Sequence, residues 1–258
     1  MNNNYLNLPV KIFPDILEKN SHRLFVFAEA RSGSTWLIDT LNSHPEVIML
    51  DEILKPEIQQ KYYKEHNSSY RYPGGDVQYI EDHFKGLSGK LNGCKILFPQ
   101  ALRFIDFYEF LQNYRNSNFI ILTRKNSVKA EISGLIAKDY SRWHLRNIKD
   151  KQAITLNPKF LLERLKWRSW SKQFCIEMLQ AHCVNLIQLE YKFLFKEMTE
   201  SITNLADFLS VSSARFKTSS EIKANPFHLR ELLTNYEECC EYFQNFPEYR
   251  RMFDDEQN

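Results

Sequence analysis

Residues 23–45 read RLFVFAEARSGSTWLIDTLNSHP. An apolar run at 24–28 passes into a short polar turn, and an apolar helical pattern follows at once. A run without alternation suits a strand buried on both faces of a parallel sheet. In such a sheet, ligands sit beyond the carboxyl ends of the strands, where the next helix begins. The loop Arg31-Ser32-Gly33-Ser34-Thr35 stands at that place. The helix start would aim backbone N–H groups and a positive dipole end at an anion. Gly33 allows close backbone approach, Ser34 and Thr35 add hydroxyl donors, and Arg31 can fork onto a tetrahedral anion. The loop has neither the G-x-x-x-x-G-K-[ST] pattern of an ATPase nor the G-x-S-x-G of a hydrolase elbow. A simple Ser/Thr helix cap remains the alternative for this loop taken alone.

Further apolar runs at 94–98 (CKILF), 119–123 (FIILT) and 184–189 (VNLIQL) read as strands of the same sheet, with a short one at 47–50. Helical patterns lie between them. Val128, Ile132, Leu135 and Ile136 share one face. Leu162, Leu165, Phe174 and Met178 mark a longer helix, with Trp167 and Trp170 adding aromatic bulk, and Ile202, Leu205, Phe208 and Leu209 mark another. Alternating strands and helices predict an α/β three-layer sandwich with a central parallel sheet. The stretch 55–92 is polar, contains Pro73-Gly74-Gly75 and carries Tyr62, Tyr63, Tyr70, Tyr72 and Tyr79. It reads as a variable, substrate-facing insertion or as a connector whose tyrosines pack on the core. With no repeat or linker, residues 1–258 are expected to form one domain.

A second anion signal follows the strand at 119–123. Arg124-Lys125-Asn126 stands at its end, and Ser133 lies two helical turns on, so a basic residue and a serine can converge on one phosphate. Two such sites after neighbouring strands suit a ligand with two separated anionic groups.

The chain has 34 Lys+Arg against 32 Asp+Glu, a net charge of +2 that argues against a nucleic-acid or anionic-membrane partner. Its 5 cysteines, an odd number without C-x-x-C spacing, poorly fit a disulfide framework. Neither a signal-peptide pattern nor a membrane-length apolar run is seen, so a soluble cytoplasmic protein without stable membrane insertion is expected.

RSGSTWL (31–37) resembles the 5′-phosphosulfate loop of the sulfotransferases that use 3′-phosphoadenosine 5′-phosphosulfate (PAPS), and TRKNSVKAEISG (123–134) resembles their 3′-phosphate motif. GCKILF is similar to that family's second core strand, and LIQLEYKFL (186–194) to its late strand-to-helix junction. The pattern is closest to bacterial sulfotransferases of the trehalose-sulfating type, where Trp-His follows the serine as Trp143-His144 do here. The resemblance implies a P-loop-like sulfotransferase fold, PAPS as donor with PAP as product, and sulfuryl transfer without a metal. It implies Trp36, with Arg31 to Thr35, among the cofactor-binding residues, and Trp143 and His144 near the acceptor. Where the trehalose type shows Gly-Glu-Pro, this chain reads Leu50-Asp51-Glu52-Ile53; the glutamate matches and its flanks differ. Glu52, just past the strand at 47–50, is therefore the first candidate for the base that deprotonates the acceptor. His44, after the first helix, is the second, unless it only binds the helix's terminal carbonyls. Lys217, Lys223 and Arg230, in a more loosely matching tail, are further candidates for the 3′-phosphate. The expected acceptor is a hydroxyl or amine of a sugar, glycolipid or small natural product, and a homodimer is compatible with the resemblance. A kinase-like nucleotide phosphotransferase and a PAPS- or PAP-binding module without turnover are the alternatives.

Overall fold

The computed structural model describes residues 22–65, 75–140, 152–217 and 227–254. Among them, strands β1 (Arg23–Ala28), β2 (Val47–Leu50), β3 (Leu91–Leu97), β4 (Asn118–Thr123) and β5 (Asn185–Glu190) form one five-stranded sheet in the order β2-β3-β1-β4-β5. Every pairing is parallel. β1 is the central strand, and Leu24 to Ala28 are all 0% exposed, as its unbroken apolar run requires.

Alternation along β1 divides the core between two faces. Phe25 and Phe27 join Phe110, Tyr114 and Phe119 on one side, while Leu24, Val26 and Ala28 join Trp36, Leu37, Leu205 and Leu209 on the other. The first face is covered by α3 (Gly75–Phe84), α4 (Phe98–Phe104), α5 (Phe107–Tyr114) and the later half of α7 (Pro158–His182). The second is covered by α1 (Ser34–Asn42), α8 (Tyr191–Lys196) and α9 (Met198–Leu209). These layers make the α/β sandwich. Phe25 meets Phe110 at 4.9 Å and Tyr114 at 4.7 Å, both edge-on. Such pairs contribute about 0.5–1.5 kcal/mol each beyond the buried area.

A further apolar cluster joins α6 (Ser127–Asp139), the first half of α7 and the C-terminal helices α10 (Leu229–Leu232), α11 (Tyr236–Tyr242) and α12 (Pro247–Asp254). Asn126 caps α6 by accepting from Lys129 N–H at 2.7 Å, and its amide donates to the Met252 carbonyl at 2.7 Å. The C-terminal helices are thereby pinned to the start of α6.

Two expectations change. β3 begins at Leu91, ahead of the expected 94, because Gly93 lets β1 approach: a Cβ there would lie 1.7 Å from the Leu24 carbonyl oxygen. β5 is an edge strand whose residues are exposed or half-buried, so its apolar run is not a doubly covered one. Within 55–92, α2 (Pro56–Glu65) and α3 bury Tyr62 and Tyr79 in the first core cluster, with Tyr63 packed against it. Tyr70 and Tyr72 lie outside the described residues. No helix among the described residues is long and apolar enough to cross a membrane.

Candidate functional site

β1 and β4 end side by side, Ala28 opposite Leu122, so the loops that follow them are neighbours. Strand order reverses at β1, since β2 and β3 lie on one side and β4 and β5 on the other. This is the switch point at which open parallel sheets form their binding crevice. The loop after β1 takes two left-handed residues, Arg31 (φ 63) and Gly33 (φ 79), the latter being the N-cap of α1. For arginine that backbone costs on the order of 1–3 kcal/mol, strain that persists only where neighbours over-determine it.

Those neighbours come from β4 and α6. The Arg124 guanidinium donates through Nη1 to the Arg31 carbonyl at 2.9 Å, and Arg31 Nε donates to Ser133 Oγ at 3.3 Å. Arg124 is 8% exposed, and its guanidinium lies 4.7 Å from the centre of the Tyr191 ring. Burial lowers the Arg124 pKa from its ordinary value; Tyr191 opposes this, while Arg168 and Arg31 add to it. A buried cation with two cationic neighbours gains from an arriving anion. Arg31, Arg124 and Ser133 are thus brought together, and the two expected anion sites meet at the Arg31–Ser133 contact.

The remaining loop residues divide by role. Ser32 is 0% exposed and its hydroxyl donates to the Glu29 carbonyl at 2.6 Å, so it closes the turn. Trp36, expected among the cofactor-binding residues, sends its ring into the core cluster that α9 also joins. No side chain caps α1, leaving its first turn with Gly33, Ser34 and Thr35 at the crevice. Lys125 is exposed and pairs with Glu190 at 3.3 Å.

A second polar cluster lies along the same sheet edge, at the ends of β2 and β3. Glu52 Oε2 accepts from Gln100 Nε2 at 2.8 Å, and Oε1 lies 3.1 Å from Lys95 Nζ. Lys95, 2% exposed, also pairs with Asp51 at 2.5 Å. Burial acts to raise the Asp51 pKa, but Lys95 and then Lys55 outweigh it and hold the carboxyl below its ordinary value. Lys95 and Gln100 were missed in the sequence reading. The signal was a lone lysine inside GCKILF, since a lysine in a buried strand requires an acidic partner.

Other expected residues are elsewhere. His44 follows the far end of α1, about 13 Å from its start at 1.5 Å per residue. It is 1% exposed, Nδ1 accepts from Glu46 N–H at 3.1 Å, and the ring lies 4.8 Å from that of Phe216. It precedes β2 at the amino-terminal edge of the sheet, which removes it as a base. Lys217 N–H donates to Ser43 Oγ at that same far end of α1. Arg230 pairs with Glu237 at 2.9 Å on an exposed surface. Trp143, His144 and Lys223 lie outside the described residues. Among the described residues, no group of three or more His, Cys, Asp and Glu side chains is placed to hold a metal ion.

No protein-family model matches the chain. No curated protein matches it either. Among solved structures, a sulfotransferase from Alicyclobacillus acidocaldarius matches with a TM-score of 0.50 and 12% identity, over 90% of this chain and 95% of that one. Mouse sulfotransferase SULT7A1 complexed with PAP gives a TM-score of 0.47 and 15% identity, over 83% and 72%. The sulfotransferase domain from the curacin biosynthetic pathway gives 0.39 and 15%, over 81% and 78%. The likeness to the Alicyclobacillus protein shows a shared fold, the parallel α/β sandwich.

Proposed function

We propose that the chain is a sulfotransferase that moves a sulfuryl group from PAPS to a hydroxyl or amine of a sugar, glycolipid or small natural product. The observation that carries this reading is the convergence of Arg31, Arg124 and Ser133 from two loops at the switch point of the sheet. The family resemblance of those same two loops supports it, as does the fold. Guanidinium forks, hydroxyls and backbone amides are the donors that suit phosphate and sulfate oxygens. Gly33, Ser34, Thr35 and Arg31 would hold the 5′ end of PAPS, and Arg124 and Ser133 its 3′-phosphate. Bound PAPS would supply the activated sulfuryl group.

This chain's own part is positioning and charge stabilisation, which dominate transfers of this in-line, loose type. Arg31 and the first turn of α1 stabilise charge as it gathers on the transferred group and the departing oxygen. Glu52 takes the proton from the acceptor as its oxygen or nitrogen attacks. Gln100 and Lys95 fix the orientation of that carboxylate, and each of its oxygens retains a lone pair. By the sequence resemblance, Trp143 and His144 would stand near the acceptor.

The test is incubation with PAPS and a panel of sugar and natural-product acceptors in the presence of EDTA. Acceptor-dependent formation of PAP and of a sulfated product is expected. Phosphorylated product from ATP and magnesium, with none from PAPS, would make the chain a phosphotransferase instead.

A further inference from the structure

Beneath the loop that carries Arg31 lies a buried ionic assembly that the reading above does not use. Arg168, 8% exposed on α7, donates Nε to Glu29 Oε1 at 2.9 Å, Nη1 to Glu131 Oε2 at 3.2 Å and Nη2 to the Ala30 carbonyl at 2.6 Å. Glu29, 2% exposed at the end of β1, accepts the backbone N–H of Arg124 on its other oxygen at 2.9 Å. Lys172 Nζ stands 3.6 Å from Glu29 Oε1. Glu131, 6% exposed on α6, also receives Arg164.

One guanidinium therefore ties the end of β1 to α6, and one carboxylate ties β1 to the residue that follows β4. Every segment so held carries an anion-site residue. Ala30 precedes Arg31, Glu29 holds Arg124 directly, and Ser133 lies two residues beyond Glu131. Stability alone does not explain the arrangement, because a buried ion pair is often no better than apolar packing of the same volume. A carboxylate directly beneath an anion site also opposes binding unless cations and donors offset it, as Arg168, Lys172 and the Arg124 backbone N–H do here. What the assembly provides is fixed geometry, the condition for donors to act without rearranging.

We infer that Arg168 is a positioning residue that, through Glu29, Glu131 and the Ala30 carbonyl, sets the strained loop holding Arg31 and the amide of Arg124 for anion binding. The inference rests on the sulfotransferase reading only for the identity of the anion. An ammonium cannot reproduce three donors spread over a planar fork, so lysine preserves the charge and loses the geometry.

The experiment compares the full-length chain with Arg168→Lys and with Glu29→Gln, by amide hydrogen exchange without ligand and by calorimetric titration with adenosine 3′,5′-bisphosphate. Exchange in the peptides spanning 29–35 and 124–128 is expected to rise about tenfold or more with 24–28 unchanged, since local opening is separable from global unfolding. Bisphosphate affinity is expected to fall about tenfold in both variants. Glu29→Gln decides the exchange test should Arg168→Lys not fold. Unchanged loop exchange in a folded variant would overturn the inference, and so would a uniform rise that includes 24–28, which marks a purely structural role. A parent protein that ignores the bisphosphate while the variants loosen the loop would sustain the positioning role and overturn the sulfotransferase reading.

Discussion

Arg31 Nε donates to Ser133 Oγ at 3.3 Å across 102 residues of sequence, joining the loop after the central strand to the helix after its neighbour. Because the contact joins the two proposed anion sites, their residues should not act independently. Arg31→Ala is expected to slow sulfuryl transfer roughly 10²-fold, the usual cost of losing a transition-state donor. In a double-mutant cycle read by PAP affinity, Arg31→Ala and Ser133→Ala should couple by about 0.5–3 kcal/mol. Strict additivity would mean that the contact has no part in binding.

Arg124 tests the electrostatic half of the site. Arg124→Lys keeps the charge but loses the donor to the Arg31 carbonyl, so PAP should bind about tenfold more weakly. Tyr191→Phe keeps the ring under the guanidinium and should bind normally, whereas Tyr191→Leu should weaken binding by about 0.5–2 kcal/mol. Equal binding by all three variants, measured by calorimetry, would place the 3′-phosphate elsewhere.

Glu52 and His44 make opposite predictions. Glu52→Gln should bind PAP like the parent and transfer ~10²–10⁴-fold more slowly. His44→Ala should lower stability by about 0.5–3 kcal/mol, as for a buried packing residue, and leave the transfer rate of the folded protein unchanged. Thermal melts beside initial rates separate the two cases; a normal rate in the Gln variant removes Glu52 as the base.

Buried thiols give the chain an alkaline limit. Burial pushes Cys175 and Cys183 up to about 12 and Cys239 up to about 11, from an ordinary 9.0. Above pH 9 the unfolded chain releases protons that the folded chain retains, so stability is full below that pH and falls as pH rises toward the folded values. Cys175→Ala should therefore give a shallower decline of Tm between about pH 9 and 11. An identical slope in the variant would show that this thiol does not contribute.

Much of the sheet was legible because LFVFA and FIILT are unbroken apolar runs, which only a strand covered on both faces requires. The start of β3 was hidden, since Gly93 reads as a breaker and in fact serves the close approach of β1. Phe174 was read onto the apolar stripe of α7, with Trp167 and Trp170 adding aromatic bulk, yet the three are 37%, 37% and 52% exposed, because helical spacing identifies a stripe without saying which stripe is covered. The loops after β1 and β4 were legible as candidate anion sites, since basic and hydroxyl residues follow apolar runs. Their direct contact through Arg31 and Ser133 was not, because a side-chain contact across 102 residues leaves no local pattern. The Glu29–Arg168 pair spans 139 residues and has no local signature at all. His44 was read at the end of the first helix, as a base or as a partner of the helix's terminal carbonyls; its burial and its bond from Glu46 N–H were not legible there.

The central claim is that one crevice at the end of β1 binds a nucleotide through two separate anionic groups. Calorimetric titration of the parent protein with adenosine 3′,5′-bisphosphate and with adenosine 5′-phosphate tests it most directly. The bisphosphate is expected to bind about tenfold or more tightly, a preference that shrinks in Arg124→Ala and Ser133→Ala. Equal affinity for the two nucleotides, or a preference that both variants keep, would contradict the account.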